Sequence, residues 1–183
     1  GDPDKAFKEA EHVVERTFTL QMVHQGYIEP HNATAIWDEE DRIKVWTSTQ
    51  GAFPVRTSTA AILDMDVSKV KVTPLEIGGG FGGKIPIYLE PVVATLSKKS
   101  GRPVKAIMER TNVFQASGPA PGGTITVKMG TDKNGKLIAA DTSIKLDAGV
   151  FPGAAVGAAV QCVFAPYVIA NTRIVGYDIV VNK

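Results

Sequence analysis

Short segments in which apolar and β-branched residues alternate with polar ones recur along the chain, and this pattern predicts strands. The predicted strands are Val13–Gln21, Ala33–Trp37, Arg42–Thr49, Ser68–Ile77, Arg102–Arg110, Thr124–Gly149 (as a hairpin) and Arg173–Val181. The acidic turn Asp38–Asp41 joins the second and third strands into another hairpin. Within Thr124–Gly149, the pair Asn134-Gly135 is typical of a type I′ turn, which needs two residues with positive φ.

Helix signals separate some of these strands. The predicted helices run from Pro3 to about Ala10, from Pro54 to about Asp64, and over Pro91–Lys99. Asp2 is the expected N-cap of the first helix, and Gly101 is the expected C-terminal cap of the third. Because helices and strands do not alternate regularly, we expect an α+β fold of mixed β-sheets with hairpins, covered by a few helices.

One segment, Ala148–Ala170, carries no charge and resembles a membrane span. Its apolar content is mostly Ala and Gly, and Pro152 and Pro166 leave only 13 residues between them. A spanning helix needs about 20 residues. We therefore expect a buried, close-packed helix or loop here.

Composition narrows the function classes. A net charge of +1 gives no electrostatic footprint for nucleic acid or for an anionic membrane. The single cysteine, Cys162, excludes an internal disulfide and favours a reducing, cytoplasmic setting. The three histidines, His12, His24 and His31, lie near the N-terminus without the clustered cysteines of a zinc site.

The run GGGFGGK, Gly78–Lys84, invites comparison with two known glycine motifs. As a P-loop it has a lysine, but Ile85 cannot bind Mg²⁺ and Pro86 removes a backbone donor where the helix should begin. As a dinucleotide fingerprint it needs a helix that opens within the glycines, which Pro86 and Pro91 prevent, and Glu109 follows too late. Both interpretations are disfavoured.

One feature common to both motifs still applies to this run, which is a glycine loop with accessible backbone N–H groups. Five glycines of the run lack Cβ atoms, so its N–H groups can approach a bound group closely, and Phe81 offers a ring that can line a pocket. From these residues alone, two interpretations stay open. One is a loop that meets a ligand, and the other is a glycine bulge that lets two backbones touch.

The pattern of motifs resembles one family, the molybdenum-cofactor-binding subunits of the molybdenum hydroxylases. This family includes xanthine dehydrogenase, aldehyde oxidoreductase, nicotinate dehydrogenase and the aerobic carbon monoxide dehydrogenase large chain. The resemblance rests on GDPDKAFKEAEHVVERTF, QGYIEPHNA, VWTSTQ, IGGGFGGK and SGRPVKAIMER. It extends over the whole chain and is loosest at GPAPGGTITVKMG.

The resemblance implies a cofactor in which the dithiolene of a pterin holds molybdenum, and it leaves open whether the pterin carries a cytosine nucleotide. It also implies that the amide of Gln50 faces the oxygen ligands of the metal without binding it directly. The expected cofactor-binding residues are Gln50, Gly79, Gly80, Phe81, Gly82 and Gly83. The resemblance places no catalytic residue in this chain.

A molybdenum hydroxylase also needs electron carriers, so the resemblance implies a [2Fe-2S] centre and FAD on partner domains or subunits, and a small-molecule substrate. Residues 1–183 are expected to form part of a larger molybdopterin-binding domain, inactive alone. The general-base glutamate and a further arginine motif of the family have no counterpart here, and Glu29, Glu76, Glu90 and Glu109 do not occupy the matching position. We interpret Glu29 as structural.

Purine-oxidising members of the family carry a glutamate directly after G-G-K, where this chain has Ile85, so a purine substrate is disfavoured. Two other functions remain as alternatives. One is a non-catalytic structural or interaction domain of the same fold. The other is a nucleotide-binding protein that uses the glycine run.

Overall fold

The computed structural model describes residues 1–182. Their helices are α1 (Pro3–Glu9), α2 (Ala52–Ile62), α3 (Glu90–Ser100), α4 (Arg110–Ala116) and α5 (Val156–Cys162). Their strands are β1 (His12–Leu20), β2 (Asn32–Trp37), β3 (Ile43–Thr47), β4 (Val70–Pro74), β5 (Val104–Ile107), β6 (Gly123–Thr131), β7 (Leu137–Gly149) and β8 (Asn171–Val180). A short 3-10 turn, Val67–Lys69, precedes β4. The α+β prediction is confirmed.

Residues 1–23 and the residues from 121 onward form one compact unit. Its sheet has the order β1-β6-β7-β8, in which β1, β6 and β7 are antiparallel neighbours and β8 lies parallel to β7. Asp2 caps α1 as expected, accepting a hydrogen bond from the Lys5 N–H at 3.0 Å. Arg173 of β8 holds this helix to the sheet, because it binds Asp4 at 3.0 Å and Asp141 of β7 at 2.9 Å.

Residues 24–120 form the second unit, whose sheet has the order β4-β3-β2-β5. Strand β3 is antiparallel to β2 and parallel to β4. Alternate residues of β2 and β3 are buried, as a sheet with one face on a core requires. The buried core comprises Ala33, Ala35, Ile43, Val45, Ala60, Val70, Val93 and Ala94. Helices α2 and α3 supply three of these residues and so cover the sheet.

Both predicted hairpins form, but the turn chemistry of the second differs from the prediction. Strands β6 and β7 are joined by the loop Asp132–Lys136, not by a two-residue turn. Of the pair Asn134-Gly135, only Gly135 has positive φ, at 80°. The Gly135 N–H donates to the Asp132 carbonyl at 3.0 Å, and the Asp132 side chain accepts from two further N–H groups of the loop. The type I′ prediction is wrong because this aspartate stabilises a longer turn.

Helix α4 has no counterpart among the predicted helices, and the strand predicted over Arg102–Arg110 overlaps its first residue. The strand β5 ends at Ile107, and the helix begins after Glu109. Asn112 marks this start, since its side chain accepts a hydrogen bond from the Glu109 N–H at 3.1 Å. An Asn three residues after an acidic residue was therefore the available signal.

The prediction for Ala148–Ala170 is half right. The segment contains the short helix α5, but none of the helix's residues is buried. Phe151 and Val168 are 79% and 99% exposed. Helix α5 does pack closely against β8, where a Cβ on Gly176 would lie 2.6 Å from the Val160 side chain, and Phe164 is buried. The expectation of burial was wrong for the residues of the helix and for Phe151 and Val168. No helix among residues 1–182 is long and apolar enough to cross a membrane.

Candidate functional site

The glycine run lies in the loop that leads from β4 to α3. At its centre is a tight turn in which the Gly83 N–H donates to the Gly80 carbonyl at 2.8 Å. Both central residues have positive φ, 51° at Phe81 and 92° at Gly82, as in a type I′ turn. The Phe81 ring is 72% exposed. A bulky residue in this backbone region is strained, and strain of this kind is typical of functional loops.

Gln50 follows β3 and meets this turn directly. Its Oε1 atom accepts hydrogen bonds from the Gly82 N–H at 3.0 Å and from the Lys84 N–H at 3.1 Å. Its own backbone N–H donates to the Lys84 carbonyl at 3.0 Å. Since two N–H groups donate to one side-chain atom, that atom is the carbonyl oxygen. The amide nitrogen Nε2 then has no acceptor among the described residues and remains an available donor.

The absence of side chains on the loop glycines permits this close approach. A Cβ on Gly80 would lie 2.5 Å from the Gln50 Oε1 and 2.8 Å from its Cδ. Gly79 and Gly83 lie against the Tyr27 side chain. The structure therefore brings all six residues of the predicted set into one region of the second unit. The role of these residues toward a cofactor stays a prediction.

A buried ion pair lies at the end of the run. The Lys84 Nζ is 2.7 Å from the Glu29 Oε2, and the Lys84 side chain is completely buried. The same carboxylate accepts hydrogen bonds from the Gly78 N–H at 2.8 Å and from Asn32 Nδ2 at 3.0 Å. Burial alone would raise the pKa of Glu29, but the hydrogen bonds from Lys84, Gly78 and Asn32 together hold it below its ordinary value. Lys84 is thus committed to Glu29 and cannot neutralise a phosphate.

The segment 24–32 carries no helix or strand signal in the sequence, and the burial of its Tyr27 and His31 was not predicted. Tyr27 is 1% exposed, and its hydroxyl lies 2.8 Å from the Nε2 of the buried His31 and 3.2 Å from the Ser117 Oγ. Burial, and then the charge of Lys84, lower the pKa of His31. The Tyr88 ring packs on His31 with 4.4 Å between centroids. Through Tyr27 this cluster packs against the glycine loop. No periodicity in the sequence predicts it.

The donors and acceptors around the turn define its chemistry. The N–H groups of Gly79, Gly80 and Phe81 donate to no described group. Together with the Gln50 Nε2 they form a set of neutral donors, suited to oxygen acceptors. Beside Gly83, the buried Oε1 of Gln25 has no hydrogen-bond partner among residues 1–182. No cluster of His, Cys, Asp and Glu among residues 1–182 could hold a metal ion directly.

The other carboxylates considered for a catalytic role have structural contacts or lie elsewhere. Glu90 is buried and accepts hydrogen bonds from the Thr47 hydroxyl at 2.7 Å and the Tyr88 N–H at 3.0 Å. Glu109 precedes α4 as its N-cap. Glu76 is exposed. None of the three hydrogen-bonds to the glycine run.

Comparison with known proteins identifies the family. The family model described as "Molybdopterin cofactor-binding domain" matches residues 1–183. The chain belongs to this family. The molybdopterin-binding resemblance inferred from the motifs is therefore confirmed, and the match includes Gln50 and the whole glycine run.

Curated relatives are longer than this chain. A probable xanthine dehydrogenase subunit of Bacillus subtilis is 30% identical over 186 residues, which cover 100% of this chain and 25% of the relative. The nicotinate dehydrogenase large molybdopterin subunit of Eubacterium barkeri is 32% identical over 178 residues, covering 95% of this chain and 42% of the relative. The chain thus spans a quarter to about two fifths of these relatives.

Solved structures show the same fold. An aldehyde oxidoreductase of Desulfovibrio desulfuricans superposes with a TM-score of 0.78 at 20% identity, covering 97% of this chain and 21% of that one. A carbon monoxide dehydrogenase of Oligotropha carboxidovorans gives a TM-score of 0.73 at 24% identity, covering 98% of this chain and 24% of that one. At this identity the likeness supports the fold alone.

Proposed function

We propose that this chain forms one wall of a molybdopterin site, with the Gln50 amide and the backbone of Gly80, Phe81 and Gly82 facing the cofactor. The observation that carries the proposal is the pair of hydrogen bonds from Gly82 and Lys84 to the Gln50 Oε1. These bonds fix the amide against the loop and leave its Nε2 as a donor. Gly79 and Gly83 complete the loop, and residues 1–183 belong to one larger cofactor-binding domain.

The donor set fits such a cofactor. A pterin and the oxygen ligands of its molybdenum present hydrogen-bond acceptors, and the turn offers three unpaired N–H groups and one amide without a net charge. Neutral donors orient such a group without competing for the metal. The pterin ring also carries N–H donors, and the Oε1 of Gln25, which has no partner in the described part of the chain, is an acceptor of the matching kind.

In the whole protein, we propose an oxidoreductase of the molybdenum hydroxylase type. The bound group would supply the redox chemistry, while this chain binds and orients it. The [2Fe-2S] centre, FAD and the remaining cofactor-binding segments would come from partner domains or subunits, in the cytoplasm. The cytosine dinucleotide form of the cofactor is compatible with this assignment. The chain alone would have no turnover.

The residue at position 85 bears on which class of substrate the intact protein binds. Ile85 directly follows the glycine run, is 52% exposed, and carries no hydrogen-bonding group. A purine ring held by its polar edge needs such a group, because unpaired polar groups lose binding energy on burial. We therefore propose a substrate other than a purine for the intact protein.

The test distinguishes the role of the Gln50 Nε2 donor from that of its Oε1 acceptor. In Gln50→Glu, a carboxylate oxygen still accepts from Gly82 and Lys84, but the Nε2 donor is lost and a negative charge is added. We expect molybdenum and molybdopterin contents of the purified intact protein to fall by about tenfold, as loss of one well-placed donor predicts. Gln50→Ala, which also frees the loop, should lower both contents at least as far.

The matched control is Gln115→Glu, the same chemical change at an exposed residue of α4 in the same unit. This variant should keep the wild-type molybdenum and molybdopterin contents. Wild-type contents in both Gln50 variants would contradict the proposed site.

A further inference from the structure

One carboxylate holds both ends of the glycine run. The Glu29 Oε2 accepts from the Gly78 N–H at 2.8 Å, at the first glycine, and from the Lys84 Nζ at 2.7 Å, at the residue that ends the run. The Glu29 N–H also donates to the Gly78 carbonyl at 3.1 Å. The other carboxylate oxygen is held by Asn32 at 3.0 Å. Glu29 therefore links the first residue of the glycine run to the last.

These contacts continue to the turn. Lys84, whose side chain binds Glu29, donates its backbone N–H to the same Gln50 oxygen that accepts from Gly82. The Lys84 carbonyl in turn accepts from the Gln50 N–H and from the Thr49 hydroxyl at 3.2 Å. A displacement of Lys84 would thus move the acceptor that fixes Gly82. The path runs from Glu29 through Lys84 to Gln50.

Stability alone does not require an ion pair at this position. The Lys84 side chain is fully buried, with its Nζ 5.2 Å from the centre of the Tyr27 ring, and within the described residues Glu29 is its one carboxylate partner. A buried pair of charges is often no more stabilising than two apolar residues of similar size. What the charged pair adds is a fixed geometry, because Gly78 and Lys84 donate to one atom.

We propose that Glu29 is a positioning residue that orients the Gln50 amide and the Gly80–Gly82 turn by tying both ends of the glycine run to one carboxylate. Its relevance to a cofactor rests on the proposed function above. The contacts of Glu29 with Gly78 and Lys84, here called the clamp, lie within this chain and are measurable without cofactor.

The first test measures backbone amide hydrogen exchange at Gly82 and Lys84 in the full chain. We expect Glu29→Gln to speed exchange at these two amides by about tenfold or more relative to Val45 in the core strand β3, as loss of a charge-assisted hydrogen bond predicts. The control is Glu90→Gln, a buried carboxylate of the same unit that binds Thr47 and Tyr88. Equal effects of both variants, or none at Glu29→Gln, would overturn the proposal.

A second test needs no variant and so does not depend on folding of Glu29→Gln. The charged or titratable neighbours of the Glu29 carboxylate are Lys84, in contact, and His31, whose pKa is lowered by burial and by Lys84 and raised to a lesser extent by Glu90 and Glu29. Burial raises the pKa of Glu29, but the hydrogen bonds from Lys84, Gly78 and Asn32 hold it below its ordinary value, so its carboxylate takes up a proton only in acid. The amide shifts of Gly82 and Lys84 should follow the same acid titration as Gly78. If only Gly78 responds, the clamp does not reach the turn.

The molybdopterin content of the intact Glu29→Gln protein distinguishes the positioning role of Glu29 from the proposed cofactor wall. If Glu29→Gln loosens the turn and lowers the molybdopterin content of the intact protein, both stand. If the turn loosens while the content stays at the wild-type value, the clamp stands and the proposed cofactor wall fails. If the turn does not loosen, the positioning role fails whatever the cofactor content.

Discussion

Phe81 is held in a backbone conformation that its side chain disfavours. Its φ of 51° lies in the left-handed region, and its ring is 72% exposed, so burial contributes little to compensate. The neighbouring Gly82 adopts its φ of 92° without a Cβ penalty. The strain at Phe81 is therefore not offset by burial of this residue.

We expect Phe81→Asn to raise the free energy of unfolding by about 1 kcal/mol, because Asn adopts the left-handed region more readily than Phe. Phe53→Asn is the control, since Phe53 is also exposed, at 79%, but has no positive φ. Chemical denaturation of the two variants checks this. A loss of stability in Phe81→Asn would show that the ring makes contacts worth more than the strain.

His31 gives the second unit an acid-sensitive stability. Burial lowers its pKa below the ordinary 6.5, so the unfolded chain binds a proton first as pH falls. The free energy of unfolding should therefore decrease from about pH 6.5 downward. Glu29, with its pKa below 4.5, should add a further loss only at lower pH. Both groups act in the same direction.

Denaturation curves between pH 5 and 8 test this dependence. His31→Gln should flatten it, while His12→Gln, at an exposed histidine of β1, should leave it unchanged. A wild-type stability that rises as pH falls from 6.5 to 5 would contradict the neutral, buried state of His31.

At the scale of elements, the glycine loop depends on contact between Gly80 and Gln50. Gly80→Ala would place a Cβ 2.5 Å from the Gln50 Oε1 and would expel that side chain from the turn. We expect a loss of about 1–3 kcal/mol in the free energy of unfolding, since two N–H groups lose their acceptor. Gly118→Ala in the same unit has nothing within 4 Å of its added Cβ and should be close to neutral. Thermal denaturation compares them.

The β6–β7 turn gives a second contrast. Gly135→Ala should cost about 1 kcal/mol, because Gly135 has a φ of 80°. Asn134→Ala should cost little, since Asn134 does not have positive φ and only its backbone N–H binds Asp132. Equal costs at both positions would favour the type I′ turn after all. The same denaturation assay distinguishes the two outcomes.

Elements with strong local signals were predictable from the sequence. Helix α3 has the expected proline start and ends at Gly101 with a φ of 64°. Strand β4 was predicted too long, because its partner β3 ends at Thr47, and beyond Pro74 the Leu75 N–H makes one last hydrogen bond to the Thr47 carbonyl, at 3.0 Å. The burial of Tyr27 and His31 was not foreseen, since it results from contacts with distant residues such as Ser117.

At the scale of the whole molecule, the motifs indicated the family, and the order of helix and strand signals indicated the α+β class. They did not give the two compact units, because each unit's sheet joins segments distant in sequence, as when β1 pairs with β6. Every residue of β1 is exposed, and so are the apolar Phe151, Tyr167 and Val168. Apolar surface of this extent is typical of faces that contact another part of an assembly. Sequence patterns do not distinguish such faces from a core.

The most direct test is an experimental structure of the intact protein with molybdopterin bound. We predict a hydrogen bond of about 3 Å from the Gln50 Nε2 to an acceptor atom of the cofactor, with its Oε1 still accepting from Gly82. A cofactor bound with no acceptor within about 5 Å of that nitrogen, well beyond hydrogen-bonding distance, would contradict the account.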